Sequence, residues 1–212
     1  LLEKINENGL KKSTFDVLEG LTRLRQICDS PALVNDPDIT SFSSIKIDEL
    51  LREVSENTGA HKVLIFSQFT QMLSLIRERL DKAGLTYCYL DGKTSAQQRK
   101  ETVEVFQNDD SIKIFLISLK AGGVGLNLTA ADYVYLVDPW WNPATESQAI
   151  DRSHRIGQTK KVFAYKMICK DTIEEKILQL QESKKSLSKE LIGEESSFVS
   201  KLTKEDIEFL FE

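Results

Sequence analysis

From residue 61 onward, short runs of Val, Ile, Leu, Phe and Tyr alternate with helix-length amphipathic segments, and nothing else in the chain constrains its fold so tightly. The runs are Val63–Phe66, Tyr87–Leu90, Ile112–Ile117, Tyr133–Val137 and Val162–Ile168. Several are apolar at every position, as strands covered on both faces are. Between them, Thr70–Ala83 carries Leu73, Ile76 and Leu80 at helical spacing. Ser95–Gln107 opens on Ser95 with Gln98 three residues on, the sequence form of a capping box. Asn142 before Pro143 reads as a cap followed by a first-turn proline. This β-α-β-α order predicts an α/β fold: a parallel, doubly wound sheet with right-handed crossovers.

The flanks are helical. Phe15, Leu18, Leu21, Leu24, Arg25 and Cys28 fit one amphipathic helix ending before Pro31, and Ile45–Ser55 fits a second. After Asp171, Ile173, Ile177, Leu180, Leu187 and Leu191 keep helical spacing until Gly193, and Thr203–Phe211 forms a short acidic-apolar helix. The expected division is a helical extension (1–60), a sheet-bearing lobe (61–170) and C-terminal helices (171–212).

With 41% hydrophobic and 29% charged residues, the 212-residue chain can bury a substantial core. It holds no apolar run of the ~20 residues a membrane helix needs. It opens on Leu1 and is expected to be a piece of a longer polypeptide. Cys28, Cys88 and Cys169 are widely spaced, without metal-ligand spacing, and are expected to be reduced thiols. Of the two histidines, His61 is expected to be structural and His154 lies inside an Arg-containing motif. The net charge of −5 argues mildly against nucleic-acid binding. Against that, Arg152, Arg155, Lys160, Lys161, Lys166 and Lys170 follow one another with no acid between, a local positive surface able to hold phosphates.

Ligands of open parallel sheets bind beyond the carboxyl ends of the strands, and the unusual residues fall there. Ser67-Gln68 follow the first strand, Asp91-Gly92-Lys93-Thr94 the second, Ser118 to Thr129 the third and Asp138 to Pro143 the fourth. Gly122, Gly123 and Gly125 allow backbone to approach a ligand. Trp140 and Trp141 are adjacent, so one is expected to enter a core and the other to face a partner or solvent. Next comes Gln148-Ala-Ile-Asp-Arg-Ser-His-Arg-Ile-Gly-Gln158, in which positions 148, 152 and 155 share a stripe at ~100° per residue if the segment is helical. Two planar, always-charged guanidiniums on one face match a phosphate chain, whereas the bland alternative is a solvated basic helix. Gly92-Lys93-Thr94 is not the end of a phosphate-binding loop, because Tyr87 stands where that loop needs its first Gly. Nor does any apolar strand end in an Asp-Glu pair, since Asp48-Glu49 lies inside a predicted helix. The chain has phosphate-reading arginines but neither a nucleotide cradle nor magnesium carboxylates.

These residues resemble a known family. Val63-Leu-Ile-Phe-Ser-Gln-Phe-Thr70, Leu90-Asp-Gly-Lys-Thr94, Ser118-Leu-Lys-Ala-Gly-Gly-Val-Gly-Leu-Asn-Leu-Thr129, Trp141-Asn-Pro143 and the Gln148–Gln158 run resemble the second motor lobe of Swi/Snf-type ATPases, translocases of helicase superfamily two. The likeness covers at least residues 15–180. It implies a RecA-like lobe that works against a first lobe of the same polypeptide, which holds most of the ATP and magnesium. By the resemblance, Arg152 and Arg155 are arginine fingers and Gln148 orients near the γ-phosphate. Gly123, Gly125, Asn127 and Asp151 border the nucleotide. Ser67, Gln68, Gly92, Thr94, Ser118 and Lys120 hold the backbone of double-stranded DNA, with Trp141 near the minor groove. Leu119 departs from a polar residue often found there. The helix from Thr172 resembles a brace crossing back to the first lobe. The implied activity is DNA-dependent ATP hydrolysis, with the isolated lobe inactive. A docking module, on RNA polymerase for example, is the alternative; a dinucleotide-binding enzyme would need a Gly-rich turn where Ser67-Gln68-Phe69 stand. The compact lobe and lack of long basic tails point to a bacterial cytoplasm, or to the nucleus if the source is eukaryotic.

Overall fold

Five strands, β1 (Val63–Ser67), β2 (Tyr87–Leu90), β3 (Ile114–Ser118), β4 (Tyr133–Leu136) and β5 (Phe163–Lys166), pair in the order β2-β3-β1-β4-β5, every pairing parallel. The structure is a computed structural model that describes residues 10–34, 43–122, 125–183 and 202–211, with side chains from Thr14 onward. The helices are α1 (Leu10–Asp29), α2 (Ile45–Asn57), α3 (Thr70–Lys82), α4 (Ala96–Asn108), the single turn α5 (Leu119–Gly122), α6 (Pro143–Ile150), α7 (Ile173–Ser183) and α8 (Lys204–Phe211).

Local chemistry sets the helix starts. Ser95 accepts from the Gln98 backbone N–H at 3.3 Å while the Gln98 side chain accepts from the Ser95 N–H, completing the capping box of α4. Asn142 caps α6 through the Ala144 N–H at 2.9 Å, with Pro143 in the first turn. Ser44 caps α2 through the Ile47 N–H and donates to the Asp29 carbonyl, so one hydroxyl joins two helices.

The continuous apolar strands serve two cores. Leu64, Phe66, Phe115, Ile117, Val134 and Leu136 face one side, with Phe106 of α4 and Ala149 of α6. Val63, Ile65, Ile114, Leu116 and Tyr135 face the other, covered by Ile47, Leu50 and Val54 of α2 and by Met72, Leu73, Ile76 and Leu80 of α3. A third cluster is helical: Val17 and Leu21 of α1 meet Ile177 of α7, Ile207 and Leu210 of α8, and Trp141 from the loop after β4.

Two expectations are corrected. Phe15 is 76% exposed, because the buried line of α1 runs through Val17, Leu21 and Arg25 instead. The last strand is shorter than its apolar run and each of its residues is partly open to solvent, because it is the sheet edge and pairs only with β4. Leu187, Leu191 and Gly193 lie outside the described residues. No helix among the described residues is long and apolar enough to cross a membrane.

Candidate nucleotide and nucleic-acid interface

The strand ends of the central sheet are knitted together before any ligand is considered. Ser67 stands in register with Ser118, and the Val137 N–H donates to the Phe66 carbonyl at 2.9 Å, bringing Asp138 beside Ser67. The Ser67 hydroxyl donates to the fully buried Asp138 carboxylate, whose other oxygen accepts the Gln68 backbone N–H at 3.1 Å. Burial pushes the Asp138 carboxyl above its ordinary range, against the pull of the Arg25 guanidinium. Arg25, itself buried, donates to the Pro139 carbonyl at 2.5 Å and sits 5.2 Å from the Trp141 ring and 5.5 Å from Phe69.

Three of the residues assigned to DNA are therefore turned inward. Ser67 spends its hydroxyl on Asp138. Ser118 is 3% exposed and accepts the Ala121 N–H at 3.3 Å, opening the turn of α5. Trp141 is 1% exposed inside the helical cluster. Trp140 is buried too, against the sheet, so neither tryptophan faces solvent. Adjacent residues both find a core because the loop passes between the sheet layer and the α1/α7/α8 cluster. Glu146 accepting from the Trp140 N–H at 2.8 Å, and Gln181 donating to the Trp140 carbonyl, fix that loop from both sides.

Other assigned residues do reach the surface. Gln68 is half-buried, while Gly92 and Lys120 are exposed. Asp91 organises the loop after β2, accepting the Lys93 N–H at 2.8 Å, and Thr94 answers by accepting the Asp91 N–H at 3.1 Å. In the Gly-rich loop, Gly123 lies outside the described residues. Gly122 serves packing rather than ligand approach: a Cβ there would meet the Phe66 ring at 2.9 Å. Gly125 has φ +34° with open space around it, and Asn127 beside it is exposed.

The arginine motif differs most from its sequence reading. α6 stops at Ile150, with Asp151 as its C-cap, so Gln148, Arg152 and Arg155 do not share a helical stripe. The following residues form turns, with Arg152 N–H to Ala149 O at 3.2 Å, Ser153 N–H to Ile150 O at 3.1 Å and Gln158 N–H to Arg155 O at 2.9 Å. Gln158 is the staple that sequence reasoning missed. Its amide N–H groups contact the carbonyls of Thr129, Ala131 and Ser153 at 2.9–3.0 Å, and its oxygen accepts the Lys160 N–H at 2.9 Å. The Leu128 N–H donating to the Arg152 carbonyl at 2.9 Å closes the seam with the Gly-rich loop.

That seam holds the two guanidiniums in different settings. Arg152 is 6% exposed, and burial, then the neighbouring Arg155 charge, pull its pKa down. Arg155 is exposed, its Nη1 3.5 Å from the Gly125 carbonyl. It lines an open groove of about 700 Å³ with Asn127, His154, Ile156, Gln158 and Lys160. Gln148 and Asp151 are exposed but do not line it. The basic run is partly neutralised, since Lys160 lies 3.6 Å from Asp132 and Lys166 pairs with Glu146. Among the described residues no three His, Cys, Asp or Glu side chains converge to hold a metal ion.

Residues 45–157 match the helicase conserved C-terminal domain. The chain superposes on the Sulfolobus solfataricus SWI2/SNF2 ATPase C-terminal domain with a TM-score of 0.71 and 31% identity, covering 99% of this chain and 89% of that one. The chain is a Swi2/Snf2 helicase C-terminal lobe. The same organism's SWI2/SNF2 ATPase core in complex with dsDNA matches this lobe at a TM-score of 0.76 and 34% identity, over 99% of this chain and 45% of that chain. The Arabidopsis thaliana helicase-like transcription factor CHR27 is 40% identical to the lobe over 97% of its length. The lobe spans 22% of that relative. Its five-stranded parallel sheet is the RecA-like sheet of those ATPase cores.

Proposed function

We propose that this lobe is the second half of a DNA-dependent ATPase that tracks along double-stranded DNA, completing an active site whose ATP and magnesium sit mainly on a first RecA-like lobe. The observation that carries the reading is Arg155: an exposed guanidinium at the rim of a groove, beside the open backbone of Gly125 and Asn127. Arg152, buried and within electrostatic reach of Arg155, supplies a second positive charge in the same place.

Phosphoryl transfer needs little covalent help from protein; it needs charge placed where the transferring group becomes more negative. When the lobes close, Arg155 reaches the γ-phosphate while Arg152 holds the loop and adds its field. Desolvation strengthens both, because two guanidiniums held close repel until an anion arrives. Gln148 and Asp151, exposed at the end of α6, are the side chains available to meet the opposing lobe. On the strand-end side, Gln68, Gly92, Thr94 and Lys120 remain as DNA-backbone contacts. Contacts of that kind give affinity that falls steeply with salt and varies little with sequence.

The test is Arg155→Ala in the whole protein. DNA-stimulated hydrolysis should fall by roughly 10³-fold or more while ATP binding is retained. Turnover at the unsubstituted rate would remove the arginine-finger assignment.

A further inference from the structure

We propose that Cys28 and Cys169 form an oxidation site at which hydrogen peroxide makes an intrachain disulfide, tying the last turn of α1 to the segment leading into α7. They are 141 residues apart in sequence, yet the Cys169 thiol donates to the Cys28 carbonyl oxygen at 3.2 Å, which sets the two residues side by side. Both are half-buried, and an open cavity of about 640 Å³ reaches the pair at Cys169, Lys46 and Thr172, with Cys28 off its wall.

The two thiols differ in the way a nucleophile and its resolving partner differ. The hydrogen bond from Cys169, helped by Thr172 and the Lys46 ammonium, lowers Cys28 to about 7 against the effect of burial. The same hydrogen bond, with burial, pushes Cys169 up, so it keeps its proton. Cys88, enclosed by the sheet layer, is pushed up by burial and faces neither partner.

The chemistry balances with peroxide as the oxidant. The Cys28 thiolate attacks one peroxide oxygen, the O–O bond breaks, and hydroxide leaves, giving a sulfenic acid. The hydroxide released in that step takes the Cys169 proton, giving water, and the Cys169 thiolate attacks the Cys28 sulfur. The S–O bond breaks, and the departing hydroxide takes up the proton that the Cys28 thiol had released, giving the second water. In all, two thiols lose two electrons and two protons, and peroxide becomes two waters. The product covalently joins the N-terminal helix to the C-terminal helices that already share its hydrophobic cluster.

The test treats the whole protein carrying this lobe with stoichiometric hydrogen peroxide and maps peptides without reduction. A Cys28–Cys169 crosslinked peptide, reversed by dithiothreitol, is expected, with Cys88 recovered as a free thiol. Before oxidation, iodoacetamide at neutral pH should alkylate Cys28 at least about tenfold faster than Cys88. In Cys169→Ser, the sulfenic acid on Cys28 should persist and be trapped by dimedone. Recovery of Cys28 and Cys169 as separate thiols or separate sulfinic acids in the unsubstituted protein would overturn the proposal, independently of how the Ser variant folds.

Discussion

The hydroxyl of Ser67 donates to the carboxylate of Asp138 across the carboxyl ends of β1 and β4, 71 residues apart in the chain. Because Asp138 also holds the Gln68 N–H, one buried carboxylate sets the conformation of the whole turn after β1. Replacing Ser67 with Ala removes a buried hydrogen bond and leaves a carboxylate oxygen under-satisfied, which costs about 1–3 kcal/mol. DNA affinity of Ser67→Ala should stay within about twofold of the unsubstituted protein, since a truncated phosphate contact would cost more. Urea unfolding and a DNA titration on the same variant separate the two roles. A large affinity loss without a stability loss would restore Ser67 to the DNA surface. Asp138→Ala should be harsher, about 3 kcal/mol or more, because the Arg25 charge stays buried beside the lost carboxylate.

Gly122 and Gly92 offer a matched pair. Alanine at either position gains helix or chain-entropy benefit of at most about 1 kcal/mol. At Gly92 nothing stands within 4 Å, so Gly92→Ala should leave stability nearly unchanged. At Gly122 the new methyl would lie 2.9 Å from a Phe66 ring that is 0% exposed and packed on all sides. Overpacking then wins, and Gly122→Ala should lose about 1–3 kcal/mol by urea denaturation. A neutral Gly122→Ala would mean the Gly-rich loop yields more readily than its packing implies.

The sheet was legible because its signals are local. All five strands form on their apolar runs, β1 and β3 running one residue beyond to Ser67 and Ser118, and the Ser95–Gln98 box and the Asn142-Pro143 cap form where their residue types stand. What escaped depends on partners distant in sequence. The Gln148–Gln158 run is unbroken by Pro and reads as helix. The chain leaves the helix at Ile150 because Gln158 and the Arg152 carbonyl find better partners in residues 128–131. The Trp pair followed the same logic: with one core, one ring must be exposed, but α1, α7 and α8 build a second core that no local pattern announces. Arg152 and Arg155 do lie near one another, but at the turns that follow α6 and not on one helical stripe.

Lys46 is buried between Asp29 at 2.8 Å and Glu174 at 2.6 Å, joining α1, α2 and α7. Two carboxylates around one ammonium leave an excess negative charge in an enclosed site. Burial, then the nearby Asp138, push Asp29 well above its ordinary range despite Lys46. A carboxyl raised in the folded state binds its proton there while the unfolded chain has released it. Its contribution to stability is therefore full below the unfolded pKa of about 3.9 and is lost as pH rises through the folded value. Asp138 acts in the same direction. As pH rises above about 4, unfolding midpoints should decline, and Asp29→Asn should flatten that decline by removing one titrating group. An unchanged pH profile in Asp29→Asn would show that Lys46 keeps Asp29 ionised throughout.

The isolated 212-residue chain should not hydrolyse ATP. A finger acts only on a phosphate that something else grips, and on the proposed reading that grip belongs to the first lobe. The Gly92-Lys93-Thr94 turn follows a strand, not a Gly-rich loop, and its backbone is folded around the Asp91 carboxylate, which accepts the Lys93 N–H. Arg152 and Arg155 alone supply attraction without position, and attraction without position lowers no barrier by much. A phosphate-release assay on the purified chain, with and without duplex DNA, should stay at background. Adding a separately produced first lobe should restore DNA-stimulated turnover, and Arg155→Ala should abolish that restoration. Robust release by the chain alone would place the phosphate cradle on this lobe and overturn the division of labour between the two halves.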